Sequence, residues 1–314
     1  MKRIVVTELI WEEGLDILRQ FGRVEYNPDL WKSNDLIPSI ADADAIIIRN
    51  QTRVDGEFVA SCPRLKVVGR LGVGLDNIDI GACMNSGVAI VYARNANAIS
   101  VAEYVFAAML NFSRQPVNAT EDVKKGNWSR KKFTLAELYG KTLGLIGVGE
   151  IGTRLAARAR AFGMDILGHD PFLPPYEIAV TEFGVSMTSL ENLLTNSDFI
   201  SLHIPLNDNT RNIINKESLA LMKPTACIIN TARGGIINEA DLYEALRAKT
   251  IGGAALDVLS KEPPSGSPLL ELDNIILTPH IAGLTEEAQV RTSVLVAKEV
   301  AKVLSGQASC CTVK

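Results

Sequence analysis

The sequence of 314 residues is 47% hydrophobic and 22% charged, an ordinary composition for a globular protein, and its length suits two domains of roughly 150 residues each. A net charge of −4 argues against a general nucleic-acid-binding protein, because such proteins carry a basic surface. The five cysteines form neither a C-x-x-C pair nor a metal-ligand spacing, so we expect no metal. The N-terminal apolar run is too short for a signal peptide, and no stretch is long enough to span a membrane, which favours a cytoplasmic protein without a membrane partner.

Short runs rich in β-branched residues alternate with helical patterns through the first hundred residues. The expected strands are residues 4–7, 23–26, 45–48, 65–69 and 88–91. This alternation predicts a small doubly wound α/β unit, with a parallel sheet covered on both faces.

A long apolar segment, residues 98–110, follows this first unit. Ser100 and Glu103 have the capping-box spacing, so we expect a helix that begins at Ser100 and is long enough to cross between two domains. The alternation then resumes with about six strands, the number found in a dinucleotide-binding sheet. The last helical segment, residues 285 to about 304, could return to the first domain.

Residues 143–152 have the pattern of a strand, a tight turn and the start of a helix. Gly147, Gly149 and Gly152 have the G-x-G-x-x-G spacing. In that motif the glycines make the turn, let backbone approach a pyrophosphate and let the helix pack on the strand. The N–H groups at the start of the helix would then face the phosphates. This segment predicts a dinucleotide-binding domain.

Asp170 ends the next apolar segment, 18 residues beyond Gly152. An acidic residue at this spacing accepts hydrogen bonds from an adenosine ribose. Residues 171–175 contain no Arg or Lys that could neutralise a ribose 2′-phosphate. The sequence therefore favours NAD over NADP.

Three charged or titratable side chains follow strands of the second predicted domain. His280, one of only three histidines, lies at the edge of the sheet where ligands collect in doubly wound folds, and Arg233 and Glu262 follow two other strands. An arginine can hold a carboxylate through two hydrogen bonds. A carboxylate beside an imidazole fixes its tautomer and favours its charged form, as a general acid requires. These residues predict an acid/base site at one rim.

Together, these motifs resemble the D-isomer-specific 2-hydroxyacid dehydrogenase family, and within it the phosphoglycerate-dehydrogenase-like branch. Matching segments run almost from end to end, at residues 69–79, 100–103, 147–152, 203–206, 222–224, 230–235, 255–258, 262–263 and 279–280. The resemblance implies that NAD is the cofactor and that the catalytic residues are Arg233, Glu262 and His280. It further implies cofactor contacts from Gly147, Gly149, Glu150, Ile151, Gly152, Asp170, His203, Pro205, Thr231, Ala232, Arg233 and Asp257.

The resemblance also implies a layout. We expect two doubly wound parallel-sheet (Rossmann-like) domains, with the active site in the cleft between them. The substrate-binding domain would be discontinuous, residues 1–98 plus 285–314, and residues 99–284 would form the NAD-binding domain. Members of the family usually dimerise through the cofactor domain, so a homodimer is expected.

The implied reaction is hydride transfer between NAD(H) and C2 of a small 2-hydroxy or 2-keto acid. The backbone of Gly72, Val73 and Gly74 resembles the loop that grips the substrate carboxylate, and Arg233 would hold the carboxylate or the keto oxygen. Arg49 matches an arginine of the phosphoglycerate branch, and Arg53 and Arg70 could lie close to it. This surplus of cations suggests a substrate with a second anionic group, such as 3-phosphoglycerate.

Several alternatives stay open at this point. Residues 50–52, Asn-Gln-Thr, differ from the small residues expected beside Arg49 in a phosphoglycerate enzyme, which keeps 3-sulfolactate as a candidate substrate. A general glyoxylate or hydroxypyruvate reductase would need only one cationic clamp. An NAD-sensing interaction protein, like the co-repressors that resemble these dehydrogenases, could retain the catalytic residues. Formate dehydrogenases share the architecture but would need a different acid/base pair.

Overall fold

The computed structural model describes residues 1–313. They form two compact units: residues 1–97 together with the segment from Leu284 onward, and Ala98–Gly283. Lys314, the last residue of the predicted substrate-binding domain, lies outside the described residues. The assignment of residues 1–98 plus 285–314 to substrate binding and of 99–284 to NAD binding stays a prediction.

The strands are, in chain order, β1 (Lys2–Val6), β2 (Gly22–Tyr26), β3 (Ala45–Ile48), β4 (Val67–Arg70), β5 (Ala89–Tyr92), β6 (Thr142–Ile146), β7 (Asp165–His169), β8 (Ser186–Met187), β9 (Phe199–Leu202), β10 (Cys227–Asn230), β11 (Gly253–Leu256) and β12 (Ile275–Leu277). The helices are α1 (Glu12–Phe21), α2 (Leu36–Ile40), α3 (Gly56–Ala60), α4 (Ile80–Asn85), α5 (Ala98–Arg114), α6 (Pro116–Lys124), α7 (Glu150–Ala161), α8 (Ile178–Thr181), α9 (Leu190–Asn196), α10 (Lys216–Leu221), α11 (Glu239–Arg247) and α12 (Glu286–Leu304). Two short 3₁₀ helices occupy Leu30–Lys32 and Pro268–Glu271.

The first unit contains a five-stranded sheet in the order β2-β1-β3-β4-β5, and its strands pair in parallel. All four residues of the central strand β3 are buried. Ala45 and Ile47 point into one hydrophobic cluster with α1 and α12, whereas Ile46 and Ile48 point into the other. A strand buried on both faces is typical of a parallel sheet covered by helices on each side.

The buried carboxylate of Glu8 joins two loops of this unit. It accepts the backbone N–H groups of all four residues from Arg49 to Thr52, at 2.8 to 3.2 Å. Glu8 is 3% exposed, so these charge-assisted hydrogen bonds replace water around the carboxylate. The loop after β3 is therefore fixed to the end of β1.

The C-terminal segment continues the same sheet. Tyr92 N donates to Cys311 O and Val313 N to Ile90 O, both at 3.0 Å, so residues 311–313 run antiparallel along β5. Glu299 of α12 anchors this segment: its carboxylate accepts Lys302 Nζ at 2.5 Å and Cys310 N at 3.1 Å. The Cys310 and Cys311 thiols and a carboxylate oxygen of Glu299 lie within 4.8 Å of one another, a spacing that a metal ion could bridge. The Glu299 carboxylate, however, already accepts the two hydrogen bonds that anchor this segment.

The second unit contains a seven-stranded parallel sheet in the order β12-β11-β10-β9-β6-β7-β8. Its two faces are covered by separate hydrophobic clusters, one that includes α5 and α7 and one that includes α9, α10 and α11. The predicted α/β class with two parallel Rossmann-like sheets is confirmed. No helix among residues 1–313 is both long enough and apolar enough to cross a membrane.

Two local predictions differ from the structure. The sheet has a seventh strand, β8, which is only two residues long and exposed, so no apolar run marks it in the sequence. Helix α5 begins at Ala98, so Ser100 lies in its first turn and is not the N-cap. The helix therefore starts two residues before the predicted position. Ala98 favours this earlier start, because alanine has the strongest helix propensity.

The Glu8 clamp gives a first testable prediction. In Glu8→Gln the charge is lost and an NH₂ group faces four donors, so the free energy of unfolding should fall by about 1.5–3 kcal/mol in urea titrations. Amide hydrogen exchange of residues 49–52 should accelerate in the same variant. The exposed Glu13→Gln on α1 is the matched control, and equal stability of the two variants would contradict the clamp.

Candidate active site

The predicted site residues of the second unit lie at one edge of its sheet. Because its strands pair in parallel, the carboxyl ends of β6, β7, β9, β10, β11 and β12 share that edge. The loops that follow these strands contain the glycine motif, Asp170, His203, Arg233, Asp257 and His280. Ligands of open parallel α/β sheets bind outside this edge.

The glycine turn begins at Gly147, whose φ of 90° lies in the left-handed region. An added Cβ at Gly147 would lie 2.6 Å from the carbonyl oxygen of His203, so only glycine fits between the two loops. Gly147 N donates to His169 O at 2.9 Å, which ties the turn to the end of β7. The loops after β6, β7 and β9 therefore meet at Gly147.

Helix α7 starts directly after this turn. Its N-cap is Gly149, which provides no side-chain cap, and an added Cβ there would meet no described atom within 4 Å. The first N–H groups of α7 thus follow a loop that faces open space, as a phosphate-binding helix start requires. Glu150 is exposed and pairs with Arg154 at 2.5 Å, Ile151 packs against the hydrophobic core, and Gly152 lies in the first turn.

Asp170 lies at the end of β7 and bridges two backbone groups. Its Oδ2 accepts Val148 N and its Oδ1 accepts Phe172 N, both at 3.0 Å. Each carboxylate oxygen has a second lone pair that these bonds do not use. The Asp170 carboxylate is therefore able to accept hydrogen bonds from ribose hydroxyl groups.

His203 and Thr231 each have a buried polar atom without a protein partner, His203 Nδ1 and Thr231 Oγ1. They follow the neighbouring strands β9 and β10, at the same edge as the glycine turn. Unpaired buried polar atoms are rare in native proteins, and two at this edge fit a polar ligand such as a dinucleotide. Pro205, also a predicted contact, is exposed, and its carbonyl accepts Thr210 Oγ1 at 2.6 Å.

The turn that contains Arg233 is held by Asn230. Asn230 Oδ1 accepts Ala232 N at 3.0 Å and its Nδ2 donates to Arg233 O at 2.8 Å. An added Cβ at Gly234 would lie 2.1 Å from Leu259 O, so this turn packs directly against the loop after β11. The structure therefore brings the Arg233 loop against the loop that carries Glu262.

Glu262 and His280 form a direct pair. Glu262 Oε2 lies 3.0 Å from His280 Nδ1, and Glu262 Oε1 accepts Leu259 N at 3.1 Å. An ionised carboxylate only accepts hydrogen bonds, so we assign the proton to Nδ1 of His280. Nε2 is then the ring nitrogen that can take up or release a proton. The His280 side chain is 52% exposed, which leaves it accessible to a substrate.

Asp257 is buried and holds the turn that contains His280. Its Oδ1 accepts Thr278 Oγ1 at 2.6 Å and Ile281 N at 2.7 Å, and its Oδ2 accepts Ala282 N at 2.8 Å. A structural role for this residue was not apparent from the sequence. Its predicted contact with the cofactor stays a prediction.

The predicted substrate-binding residues of the first unit lie at neighbouring strand ends. Ile48 pairs with Arg70 in the register of β3 and β4, so Arg49 follows one strand and Gly72, Val73 and Gly74 follow the next. Arg53 is exposed on the same loop as Arg49. The structure brings these candidates to the carboxyl edge of the five-stranded sheet.

Arg49 is half-buried, and its Nη2 donates to Gln289 Oε1 of α12. Burial lowers the pKa of Arg49, and the nearby Glu8 carboxylate partly offsets this effect. A partly desolvated cation favours a bound anion. The backbone amides of residues 49–52 are occupied by Glu8, so they are not available to a second oxyanion.

The fold and this edge define the class of the second unit as a dinucleotide-binding α/β domain. Residues 106–282 match the model of the D-isomer specific 2-hydroxyacid dehydrogenase NAD-binding domain. This match covers more than half of the chain, so the chain belongs to the D-isomer-specific 2-hydroxyacid dehydrogenase family, and NAD is its cofactor. The predicted family is confirmed.

The chain is similar to three further proteins. The D-3-phosphoglycerate dehydrogenase of Methanocaldococcus jannaschii is 46% identical over 308 residues, which cover 98% of this chain and 58% of that protein. The chain thus spans somewhat more than half the length of this relative. The crystal structure of the TT0316 protein from Thermus thermophilus has a TM-score of 0.90 and 32% identity, covering 99% of this chain and 100% of that one. Aquifex aeolicus D-lactate dehydrogenase, solved with NAD and lactic acid, has a TM-score of 0.86 and 32% identity over 96% of both chains.

The environment of His203 gives a prediction for the histidines. Burial lowers the pKa of His203 to about 3, and its Nε2 lies 2.9 Å from Ser201 Oγ. A depressed pKa means that the unfolded chain binds the extra proton first, so stability is lost as the pH falls below about 6.5, the ordinary histidine value. In ¹⁵N-histidine NMR titrations, His203 should stay neutral down to pH 5. The His203 signal can be assigned by its loss in His203→Asn. Titration of that signal near pH 6.5 would contradict the prediction.

Proposed function

We propose that this protein is an NAD-dependent 2-hydroxyacid dehydrogenase. It would transfer hydride between NAD(H) and C2 of a small, dianionic 2-hydroxy or 2-keto acid resembling 3-phosphoglycerate. The observation that carries the proposal is the Glu262–His280 pair, at 3.0 Å, in loops at the same edge of the sheet as the dinucleotide turn. An imidazole held by a carboxylate is the group that hydroxyl oxidation and carbonyl reduction both need.

In this mechanism His280 moves the proton. The chemistry that NAD supplies when bound is the transfer of hydride to or from C2. During oxidation, neutral His280 would accept the proton of the C2 hydroxyl at Nε2. During reduction, protonated His280 would donate it to the carbonyl oxygen. Glu262 would keep the other nitrogen, Nδ1, protonated and stabilise the imidazolium through charge.

Arg233 would hold the substrate carboxylate or keto oxygen. A guanidinium presents parallel N–H groups that match a carboxylate, and its charge draws electrons away from the carbonyl carbon. The turn at Asn230–Gly234 would hold this side chain in place, since it is braced by Asn230 and packed on Leu259. The backbone of Gly72, Val73 and Gly74 would bind the carboxylate further.

The proposal of a dianionic substrate depends on Arg49. A half-buried arginine at a strand end, with its pKa lowered by burial, would gain from a second anionic group at C3. 3-Phosphoglycerate is the first candidate, in keeping with the names of the similar curated proteins. 3-Sulfolactate and a general glyoxylate or hydroxypyruvate reductase remain alternatives, and a panel of 2-hydroxy and 2-keto acids assayed by NADH absorbance would separate them.

We further propose a homodimer located in the cytoplasm. In support of the dimer, residues 110–139 of the second unit expose the large apolar side chains Leu110, Val117, Val123, Trp128, Leu135 and Tyr139. A concentration of exposed apolar side chains in one segment favours a protein interface there. An NAD-sensing co-repressor is the alternative from another class, and turnover of any 2-keto acid at ordinary rates would count against it.

The acid/base assignment is tested by His280→Ala. Turnover should fall by about 10²–10⁴-fold while NADH binding, measured by fluorescence titration, changes little, because a general acid/base contributes in this range. The control is His169→Gln, since His169 Nδ1 only bonds to Thr188 O at 3.1 Å. Near-parental turnover of His280→Ala would refute the proton-transfer role.

Asp170 should make NAD(H) the preferred cofactor over NADP(H). Its carboxylate would repel a 2′-phosphate, and a penalty of about 1.4 kcal/mol already corresponds to tenfold discrimination. In Asp170→Ala the ratio of kcat/KM values for the two cofactors should move toward NADP(H) by about tenfold or more. Equal kcat/KM values for both cofactors in the parent protein would disprove this preference.

Arg49→Ala should raise KM for a dianionic substrate and leave KM for lactate-like acids nearly unchanged. Loss of a charge-assisted hydrogen bond of about 1.5–3 kcal/mol corresponds to roughly ten- to a hundredfold in KM. The control is Arg23→Ala on β2, an exposed arginine paired with Glu25 at 3.1 Å. Equal effects on KM for substrates with and without a charged C3 group would contradict a second anion site at Arg49 and favour a general small 2-hydroxyacid dehydrogenase.

A further inference from the structure

The backbone at His280 is in an unusual conformation. Its φ is 57°, in the left-handed region that non-glycine residues rarely adopt, and its N–H donates to Thr278 O at 2.9 Å. Such a conformation persists only when the surroundings hold it. Ile281 N and Ala282 N both donate to the Asp257 carboxylate, which fixes the chain immediately after His280.

A third side chain extends this arrangement to helix α5. The hydroxyl of Tyr104 lies 2.5 Å from Thr278 Oγ1, which itself donates to Asp257 Oδ1 at 2.6 Å. The direction of these two hydrogen bonds follows from which groups can donate. An ionised Asp257 can only accept, so the Thr278 proton points to Asp257 and Tyr104 must donate to Thr278.

The surroundings of Tyr104 fit this direction. Burial raises the pKa of Tyr104, and the Thr278 hydrogen bond opposes the effect while the Asp257 charge adds to it. The phenol therefore keeps its proton as a donor at neutral pH. Hydrogen bonds in a chain polarise one another, so the Tyr104 bond makes the Thr278 hydroxyl a stronger donor to Asp257.

We propose that Tyr104, acting through Thr278 and Asp257, is a positioning residue for His280, which fixes the turn that holds the imidazole against Glu262. The inference rests on the proposed function only for its catalytic consequence, because the geometry of the turn exists without substrate. Tyr104 is 174 residues from Thr278 in the chain, so this link could be found only in the folded structure.

The first test separates kcat from KM. Tyr104→Phe and Thr278→Val should each lower kcat by about tenfold, since small misplacements of a catalytic group reduce turnover, while KM values for substrate and NADH stay within about twofold. Thr278→Ser keeps the hydroxyl and should restore most of kcat. Tyr243→Phe is the matched control, because Tyr243 lies on α11 of the same unit and contacts Arg247.

The second test needs neither cofactor nor turnover. The chain has only three histidines, so the imidazole ¹⁵N signals of selectively labelled protein can be assigned with His280→Ala. In the parent protein the His280 signals should show one tautomer, protonated at Nδ1. Tyr104→Phe and Thr278→Val should show mixed tautomers or exchange broadening at His280, with His203 unchanged and Thr278→Ser resembling the parent.

The outcomes distinguish this inference from the proposed function. Unchanged His280 signals in both Tyr104→Phe and Thr278→Val would overturn the inference, whatever happens to kcat. Changed signals together with full turnover of His280→Ala would support the positioning of the ring and refute its catalytic role. Tyr104→Phe or Thr278→Val could also lower the thermal midpoint of unfolding. In that case the His280 signals of Thr278→Ser and Thr278→Val are compared at a temperature well below the midpoints of both variants, and this comparison still decides whether the Thr278 hydroxyl positions His280.

Discussion

The parallel direction of the strands is the constraint on which the rest of this structure depends. Parallel pairing sends every strand end of a sheet to the same edge, so residues far apart in sequence leave the sheet side by side. In the second unit this brings the Gly147 turn against the loop after β9, and the Arg233 loop against the loop that carries Glu262. A mixed sheet would have distributed them over two edges, and neither the dinucleotide turn nor the acid/base pair would have had its neighbours.

The sequence was informative where the structure is encoded locally. The glycine spacing, the apolar strands and the charged residues after them depend on near neighbours, and the structure contains the strands and turns that they predict. Helix α11 is encoded locally in the same way, since Asn238 caps a regular amphipathic pattern. The strand β8 was missed because two exposed residues create no periodicity.

The remaining features depend on contacts that local patterns do not encode. Glu8 reads as a loop residue, yet its carboxylate holds residues more than 40 positions later in the chain. Arg49 was expected to act with neighbouring residues, but its side-chain partner is Gln289, 240 positions away. His203 matched a family motif, whereas the burial that lowers its pKa follows only from the packed sheet. In each case a charge or polar group takes its properties from tertiary contacts.

The pairing of residues 311–313 along β5 has a consequence for how molecules of this protein meet one another. An open edge strand offers unpaired backbone groups to any other chain and invites aggregation. Here the chain covers one edge of the five-stranded sheet with its own segment. At the other edge, β2 carries Arg23 and Glu25, which pair with each other, and Glu25 also binds Arg3 of β1. Charges on an edge strand make the approach of a second strand unfavourable, so this sheet is protected from intermolecular strand pairing at both sides.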